Sequence, residues 1–262
     1  MSTSIRGVFA ASLLASCALA AAPAYADDAT SPPPAIKVSA NVALTTDYRF
    51  RGVSLSGGDP AIQGGITVSH KSGFYVGTWS SSLASGAPVD LNGDGKFGTV
   101  YGNQELDLFG GWTGNLTPGL TLDGGLLYYD YPDGHEGRGN YFEPYASISG
   151  TVGPAKLKLG AAYAWHQASL GHDDNLYVYG NVDIGIPHTP FTVSGHVGYT
   201  DGVLAPPFLA GTSDKTGFDY SIGASATVYG PLSVGVAYIG VDGPSIDSYT
   251  NDTVVGTLTA SF

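Results

Sequence analysis

The feature that most restricts the fold of this chain is an alternation of apolar and polar side chains with a period of two residues. It is clearest from Ile36 to Phe50, where the even positions are mostly apolar and the odd positions mostly polar. Successive side chains of a β-strand point to opposite faces, so this pattern gives a strand with one apolar and one polar face. A helix would mix the two sets around its circumference.

The alternation recurs to the end of the chain and is interrupted by segments whose Gly, Pro, Asn and Asp residues favour turns. It predicts strands at residues 36–50, 60–70, 73–83, 103–113, 120–131, 141–152, 155–166, 175–186, 191–200, 218–228, 232–240 and 252–262. Most of these have about the 9 to 11 residues that a tilted strand needs to cross a bilayer, and their even number is typical of outer-membrane barrels.

The predicted connections alternate between short turns, such as residues 153–154, and longer loops, such as residues 84–102. Membrane barrels alternate in this way, with the short turns in the periplasm and the long loops outside the cell. We therefore predict an all-β fold: a twelve-stranded antiparallel up-and-down transmembrane β-barrel, preceded by a cleaved signal peptide. A soluble two-sheet sandwich would show the same alternation and remains the alternative fold.

Aromatic residues at the ends of the predicted strands supply a separate argument for a membrane barrel, because such barrels carry aromatic girdles at both interfaces. The third strand leaves its orientation open, since Phe74 and Trp79 have opposite parity. We predict an outward-facing girdle composed of Tyr48, Phe50, Trp79, Trp112, Tyr128, Phe142, Tyr163, Trp165, Phe191, Tyr199, Tyr220, Tyr238 and Phe262.

Residues 1–26 have the form of a secretory signal: Arg6 precedes an apolar run, and an Ala-Tyr-Ala sequence ends at Ala26. Residues 27–35 would then be a short periplasmic segment and residues 36–262 the barrel. The alternative is a lipoprotein site that leaves Cys17 acylated. Cleavage after Ala26 removes the only cysteine, and no later apolar run approaches the roughly 18 residues of a transmembrane helix.

Removing Arg6 with this signal leaves nine Lys and Arg side chains against 22 Asp and Glu, and this acidity argues against nucleic-acid binding. The polar strand faces carry many of the charges inward, together with several tyrosines. The predicted lumen lining consists of Lys37, Asn41, Asp47, Arg49, Arg51, Glu105, Asp107, Asp123, Glu143, Lys156, Lys158, His166, Asp183, His196 and Asp219. These charges either select solutes, as charged rings do in pores, or pair with one another and fill the lumen.

One loop has the opening half of a calcium-binding motif. Asp90, Asn92, Asp94 and the following Gly95 match D-x-N-x-D-G, but Tyr101 occupies the position of the bidentate Glu. The loop is thus a weak calcium candidate, with an ordinary Asp- and Gly-rich surface loop as the alternative. No other cofactor is indicated.

Catalytic motifs are missing from the sequence. It contains no G-x-S-x-G or H-E-x-x-H pattern, and His172 with the two aspartates that follow it reads as a solvated loop rather than as a base in an active site. We therefore expect no enzymatic activity.

Three stretches, Asn41 to Gly52, Asp59 to Gly65 and Ser72 to Trp79, together resemble the TorF-like porin family of proteobacteria. The resemblance is looser at residues 105–108, 128–132 and 141–145, and beyond residue 150 only the strand pattern continues it. It implies a Gram-negative outer membrane and a channel role, without a known solute.

The function we expect is passive diffusion of small polar or charged solutes through a narrow charged lumen. The partners would be outer-membrane lipid and the barrel-assembly machinery, which would recognise the last strand with its terminal Phe262. The alternative is a barrel with a closed lumen whose acidic outer loops bind a partner or an ion.

Overall fold

The computed structural model describes residues 34–84, 101–134 and 139–262. Strands dominate this part of the chain, with one turn of 3₁₀ helix at Ala168–Leu170 and a short helix α1 at Pro206–Leu209. The strands are β1 (Ile36–Thr45), β2 (Arg49–Phe50), β3 (Val53–Ser54), β4 (Ala61–His70), β5 (Phe74–Ser82), β6 (Gln104–Thr117), β7 (Leu120–Asp130), β8 (Tyr141–Val152), β9 (Ala155–Gln167), β10 (Asp173–Gly185), β11 (Phe191–Gly202), β12 (Thr216–Tyr229), β13 (Leu232–Val241) and β14 (Thr253–Ser261).

Twelve of these strands, β1 and β4–β14, form one closed antiparallel barrel in which neighbours in the sheet are neighbours in the barrel sequence. The first and last strands complete the ring, because Leu44 of β1 pairs with Ile62 of β4 on one side and with Leu258 of β14 on the other. Closure leaves the sheet without a free edge that would invite aggregation. The predicted barrel and its strand number are confirmed.

The outer face of the barrel is apolar and exposed. On β1, Ile36 and Val38 are 59% and 56% exposed, whereas Thr45 on the opposite face is only 4% exposed. The same contrast recurs around the ring, for example at Leu159 and Ile222. A sandwich would bury its apolar faces between two sheets, so the sandwich alternative is wrong. No helix in the described part of the chain is long and apolar enough to cross a membrane.

The two ends of the barrel differ. The short-turn end carries the connections 71–73, 118–119, 153–154, 186–190 and 230–231, and the long-loop end carries 46–60, 83–103, 131–140, 203–215 and 242–252. The remaining connection at the long-loop end, 168–172, is shorter than predicted because β9 and β10 extend farther than the alternation indicated.

The first predicted strand is too long. β1 ends at Thr45 rather than at Phe50, and the chain then leaves the barrel wall and folds into the lumen as the separate β2–β3 hairpin. The alternation at residues 46–50 has the strand period, but its polar side chains are satisfied by a local network instead of by neighbouring strands. The predicted outer loop at residues 51–59 therefore lies largely inside the barrel.

Candidate functional site

The β2–β3 hairpin is the element that defines the interior at the long-loop end. Arg49 pairs with Ser54 and Phe50 with Val53, so Arg51 and Gly52 form the two-residue connection. Both have positive φ, 49° and 79°, as type I′ hairpin turns require. A Cβ on Gly52 would lie 2.3 Å from Cγ1 of Val241 in the barrel wall. Only glycine therefore allows this close approach.

Three aromatic residues assigned to the outer girdle lie inside instead. Tyr48 is 1% exposed, and its hydroxyl donates to Glu105 Oε1 at 3.3 Å. Its ring lies 5.5 Å from that of Trp79, which faces the lumen because it pairs across the sheet with Asp107. Phe50 packs against the buried ring of Tyr129 at 5.8 Å. The assignment failed because Tyr48 and Phe50 belong to the hairpin, while parity left Trp79 unresolved.

A second network fixes the base of the hairpin. Asp47 accepts hydrogen bonds from Arg49 Nε at 2.5 Å, Ser54 Oγ at 2.6 Å and Ser56 Oγ at 2.9 Å. Arg49 also donates through Nη1 to the main-chain oxygen of Asn251 at 2.8 Å, so it ties the hairpin to loop 242–252. Asp47 and Arg49 are 6% exposed and act within the hairpin rather than on an open lumen wall.

Arg51 spans from the hairpin to the far wall of the barrel. Its Nη2 lies 2.7 Å from both carboxylate oxygens of Glu143 on β8. The guanidinium carbon stands 4.2 Å from the ring centroid of Tyr177 and 4.7 Å from that of Phe50. The side chain is 6% exposed, so Arg51 is buried in the lumen.

Further carboxylates line the wall at this level. Glu105 and Asp107, two residues apart on β6, are 0% exposed. Neither oxygen of Asp107 has a hydrogen-bond partner among the described residues, and Glu105 Oε2 has none there either. Burying carboxyl groups without hydrogen-bond partners is costly, so packing alone does not explain them.

His196 and Asp219 belong to a network beside Arg51. His196 Nε2 lies 2.8 Å from Asp219 Oδ1 and 3.0 Å from the Tyr177 hydroxyl, and its Nδ1 lies 2.5 Å from Asn181 Oδ1. The Tyr177 ring, which faces Arg51, is therefore oriented through its hydroxyl group by side chains of β11 and β12. The arrangement fixes Tyr177 in place.

The half of the lumen near the short turns is more open. Lys37 and Asn41 are exposed although they share the inward face of β1 with buried Thr45. The predicted lining residues Asp123, Lys156, Lys158 and Asp183 are half-buried at this level. Water thus reaches about the middle of the barrel from the short-turn end.

Two predicted lining residues in this half pair directly across the wall. Lys156 on β9 stands opposite Asp183 on β10, and the Asp183 carboxylate accepts a hydrogen bond from Ser194 Oγ at 2.8 Å. Asp123 accepts from the Tyr75 hydroxyl at 2.6 Å. Both signs of charge are therefore present around the open half.

His166 lies near the end of β9, where the register of β9 and β10 shifts. It is exposed and contributes to the electrostatic environment of Asp173, which forms a surface ion pair with Lys215.

The other residues of the predicted girdle lie on the exterior. Tyr128 and Phe142 pack together on neighbouring strands, with ring centroids 4.4 Å apart, and Phe142 also stacks on Trp165. The outward set comprises Trp112, Tyr128, Phe142, Tyr163, Trp165, Phe191, Tyr199, Tyr220, Tyr238 and Phe262.

Several further tyrosines are buried inside the barrel and were not predicted from the sequence. Tyr75, Tyr131 and Tyr141 are all about 95% buried. Strand parity could have assigned Tyr75 to the inward face, because Tyr75 has the opposite parity to the exposed Phe74 in the same strand. Tyr131 follows β7 in a connection, where strand parity gives no direction.

No group of three or more His, Cys, Asp or Glu side chains in ranges 34–84, 101–134 and 139–262 is arranged to hold a metal ion. The calcium candidates Asp90, Asn92 and Asp94 lie outside those ranges, as do the predicted signal segment and Cys17.

Comparison with known proteins identifies the family of this chain. Residues 26–262 match the model of a family described as bacterial protein of unknown function (Gcw_chp). The chain belongs to this Gcw_chp family. A comparison with curated proteins found no match.

Solved structures similar to this Gcw_chp chain include two porins. The NanC porin has a TM-score of 0.54 at 13% identity, with 86% of this chain and 99% of the NanC chain covered. The KdgM porin has a TM-score of 0.54 at 9% identity, with 86% of this chain and 98% of the KdgM chain covered. At these identities the likeness shows the fold, which is that of outer-membrane porins. The exposed apolar exterior agrees with it, and the protein is an outer-membrane β-barrel.

Proposed function

We propose that this protein is an outer-membrane channel for small polar or charged solutes, and that the β2–β3 hairpin closes its lumen in the conformation described above. One observation carries the proposal: the closing element is not part of the barrel. The twelve-stranded ring is complete without β2 and β3, which form a separate sheet inside it.

The contacts that hold the hairpin in place support a movable role. They include ionic and hydrogen-bonded contacts of Arg51 with Glu143 and of Arg49 with loop 242–252, beside the aromatic contacts of Tyr48 and Phe50. Buried ion pairs contribute little net stability compared with well-packed apolar residues of similar volume. A permanent plug would be built more simply from apolar packing, whereas polar contacts exchange readily for water when the hairpin leaves.

Water access supports the same proposal from the other end. Asn41, near the middle of β1, is exposed on the inward face. The hairpin fills the long-loop half, and deeper in the barrel the hydroxyl groups of Tyr75 and Tyr145 lie 2.6 Å apart and narrow the lumen further. Segment 203–209 packs over the β12 rim at the long-loop end, where Pro207 lies close to Gly217 and Gly243.

The finer identification with the TorF-like porin family is part of this proposal. It is supported by the sequence stretch from Asn41 to Gly52, which includes the first strand and the turn of the hairpin. We further propose that residues 1–26 direct secretion across the inner membrane of a Gram-negative bacterium, and that the last strand with Phe262 is recognised during barrel assembly. The exterior aromatics would then lie at the two lipid interfaces. We assign no catalytic residue.

Conductance of purified protein in planar bilayers tests the proposal. We expect rare or small openings for the unaltered protein and frequent openings after residues 47–58 are replaced by a short Gly-Ser linker. The linker is feasible because Thr45 and Ala61 are cross-strand partners. Swelling of proteoliposomes in small neutral and charged solutes should follow the same order.

The second candidate is a closed barrel that acts through its outer loops. The buried state of Glu105, Asp107 and Glu143 favours it, because a permanently packed lumen would look the same. Absence of conductance from both the unaltered and the hairpin-replaced barrels, with both shown to be folded, would favour this candidate over the channel.

A further inference from the structure

We propose that the wall around Arg51 is a binding site for guanidinium-bearing solutes, and that Arg51 occupies it as an internal substitute while the hairpin is closed. The inference deepens the proposed channel function and rests on it for the transport role, although the site itself can be tested without transport.

The site divides into a wall part and an occupant. The wall supplies the Glu143 carboxylate, the ring of Tyr177 and the Tyr129 hydroxyl, which donates to Glu143 Oε2 at 3.0 Å. The hairpin supplies the guanidinium of Arg51, which the wall holds by charge on one side and by an aromatic face on another. Since β8, β10 and β7 remain in the barrel when the hairpin leaves, the wall part persists.

The chemistry of the wall favours a planar cation. A guanidinium is flat, stacks on aromatic faces and is more weakly hydrated than an ammonium group, so it loses less on entering a partly dry site. The 4.2 Å separation between the Arg51 guanidinium carbon and the Tyr177 centroid shows that the wall accommodates such a group in contact with the ring. A compact ammonium ion would satisfy Glu143 but use the ring less well.

The internal occupant fits the site incompletely. Arg51 Nη1 is buried without a hydrogen-bond partner among the described residues. Arg51 also has a φ of 49°, a left-handed conformation that is strained for a non-glycine residue. A free solute carries neither constraint, so it can compete for the site with a group that is strained and only partly satisfied.

A second observation independent of Arg51 indicates attraction of cations. Asp107 is 0% exposed with both carboxylate oxygens unpartnered in the described part of the chain, and it pairs across the sheet with Tyr129 of the site. Without the hairpin, Glu105, Asp107, Glu143 and Asp219 remain on the wall while Arg49 and Arg51 leave with it. The long-loop half then has an acidic lining, which favours cations over anions.

Chemical rescue tests the site in the folded protein without any transport. Arg51→Ala should destabilise the closed barrel, and methylguanidinium should restore part of the loss by filling the vacated space. A ligand at tenfold excess over its dissociation constant is expected to raise the unfolding temperature by roughly 3–6 °C. Lys215→Ala is the matched control, because Lys215 also joins a carboxylate and an aromatic ring but lies at the surface.

Adding Glu143→Gln to Arg51→Ala should abolish the methylguanidinium effect, since the carboxylate of the wall is then lost. If Arg51→Ala does not fold, the barrel whose residues 47–58 are replaced by a Gly-Ser linker provides the same test, because it also leaves the space beside Glu143 vacant. An equal shift in the Lys215→Ala control, or no shift in the folded protein that lacks Arg51, would overturn the proposed site.

Transport measurements on the hairpin-replaced barrel distinguish failure of this inference from failure of the channel proposal. Reversal potentials in a KCl gradient should show cation preference, and proteoliposomes should admit agmatine faster than glutamate of similar size by about tenfold or more. Glu143→Gln should reduce that ratio. Conductance with no preference for agmatine would refute the inference and keep the channel, whereas the absence of conductance would refute the channel itself.

Discussion

Arg51 Nη2 lies 2.7 Å from each carboxylate oxygen of Glu143, although 92 positions separate the two residues in the chain. This contact joins an element that is not part of the barrel to the barrel wall. Under the proposed function it is the main link between the hairpin and the wall, because within residues 34–84, 101–134 and 139–262 the hydrogen bonds of Arg49 are made inside the hairpin or to loop 242–252.

Replacing only Arg51 or only Glu143 with an uncharged residue should open the hairpin more than replacing both. Arg51→Met leaves Glu143 buried and uncompensated, at a cost of about 3–5 kcal/mol, and Glu143→Gln leaves Arg51 in the converse state. The double variant has no buried charge at this point and should recover most of the loss. Unfolding by urea of the four proteins in a double-mutant cycle measures the coupling. Additive effects would show that the contact does not hold the hairpin.

Gly52→Ala should displace the hairpin, because its Cβ would stand 2.3 Å from Val241 Cγ1 in addition to the strain of a φ of 79°. Gly119→Ala is the matched control: its φ is 86°, but nothing lies within 4 Å of the added Cβ. Both variants carry the backbone strain of about 1–2 kcal/mol. We expect higher conductance only for Gly52→Ala, and equal conductance of the two variants would contradict the packing of the hairpin against β13.

Asp47→Asn should loosen the hairpin without unfolding the barrel. Asp47 accepts hydrogen bonds from Arg49, Ser54 and Ser56, and losing a charged acceptor costs about 1.5–3 kcal/mol. Amide hydrogen exchange at residues 48–56 should accelerate while the barrel strands keep their rates. Asp214→Asn is the control: Asp214 also accepts hydrogen bonds, from Thr216, but it lies on an exposed loop outside the hairpin. Unchanged exchange at residues 48–56 would argue against the network.

A charge on the exterior should destabilise the barrel in lipid. Val236, in the middle of β13, is 52% exposed on the outer face. Val236→Lys should lower the free energy of unfolding in vesicles by about 2–4 kcal/mol, as expected near the bilayer midplane. Ser225→Lys, on the inward face of β12 opposite Gly235, should change it far less. The reverse order would mean that the faces are assigned wrongly.

Most of the barrel could be predicted from the sequence, because side-chain parity reports directly which face meets lipid. Positions such as Leu159 and Ile222 alternate with inward neighbours, and turn residues mark where each strand ends. Parity failed for Trp79, where two large aromatic residues of one strand compete for the outer face. Trp79 faces the lumen, where it contacts Tyr48 and pairs with Asp107. Neither of these residues belongs to β5, so the sequence of that strand does not show the orientation.

The hairpin could not be predicted for a different reason. From Thr46 to Phe50 the alternation continues that of β1, so local pattern alone does not show where the wall ends. The two-residue turn that follows has Arg51 where Asn or Asp usually stands, and its usual signal is therefore absent. The backbone strain at Arg51 is compensated by the contact of its side chain with Glu143, which lies far away in the chain.

Single-channel recording of the unaltered protein beside the barrel whose residues 47–58 are replaced by a Gly-Ser linker tests the central claim most directly. The account predicts rare openings for the first and sustained, frequent openings for the second, with both proteins folded in the same vesicles. Equal conductance of the two would show that the hairpin does not close the lumen, and silence from both would show that the barrel is not a channel.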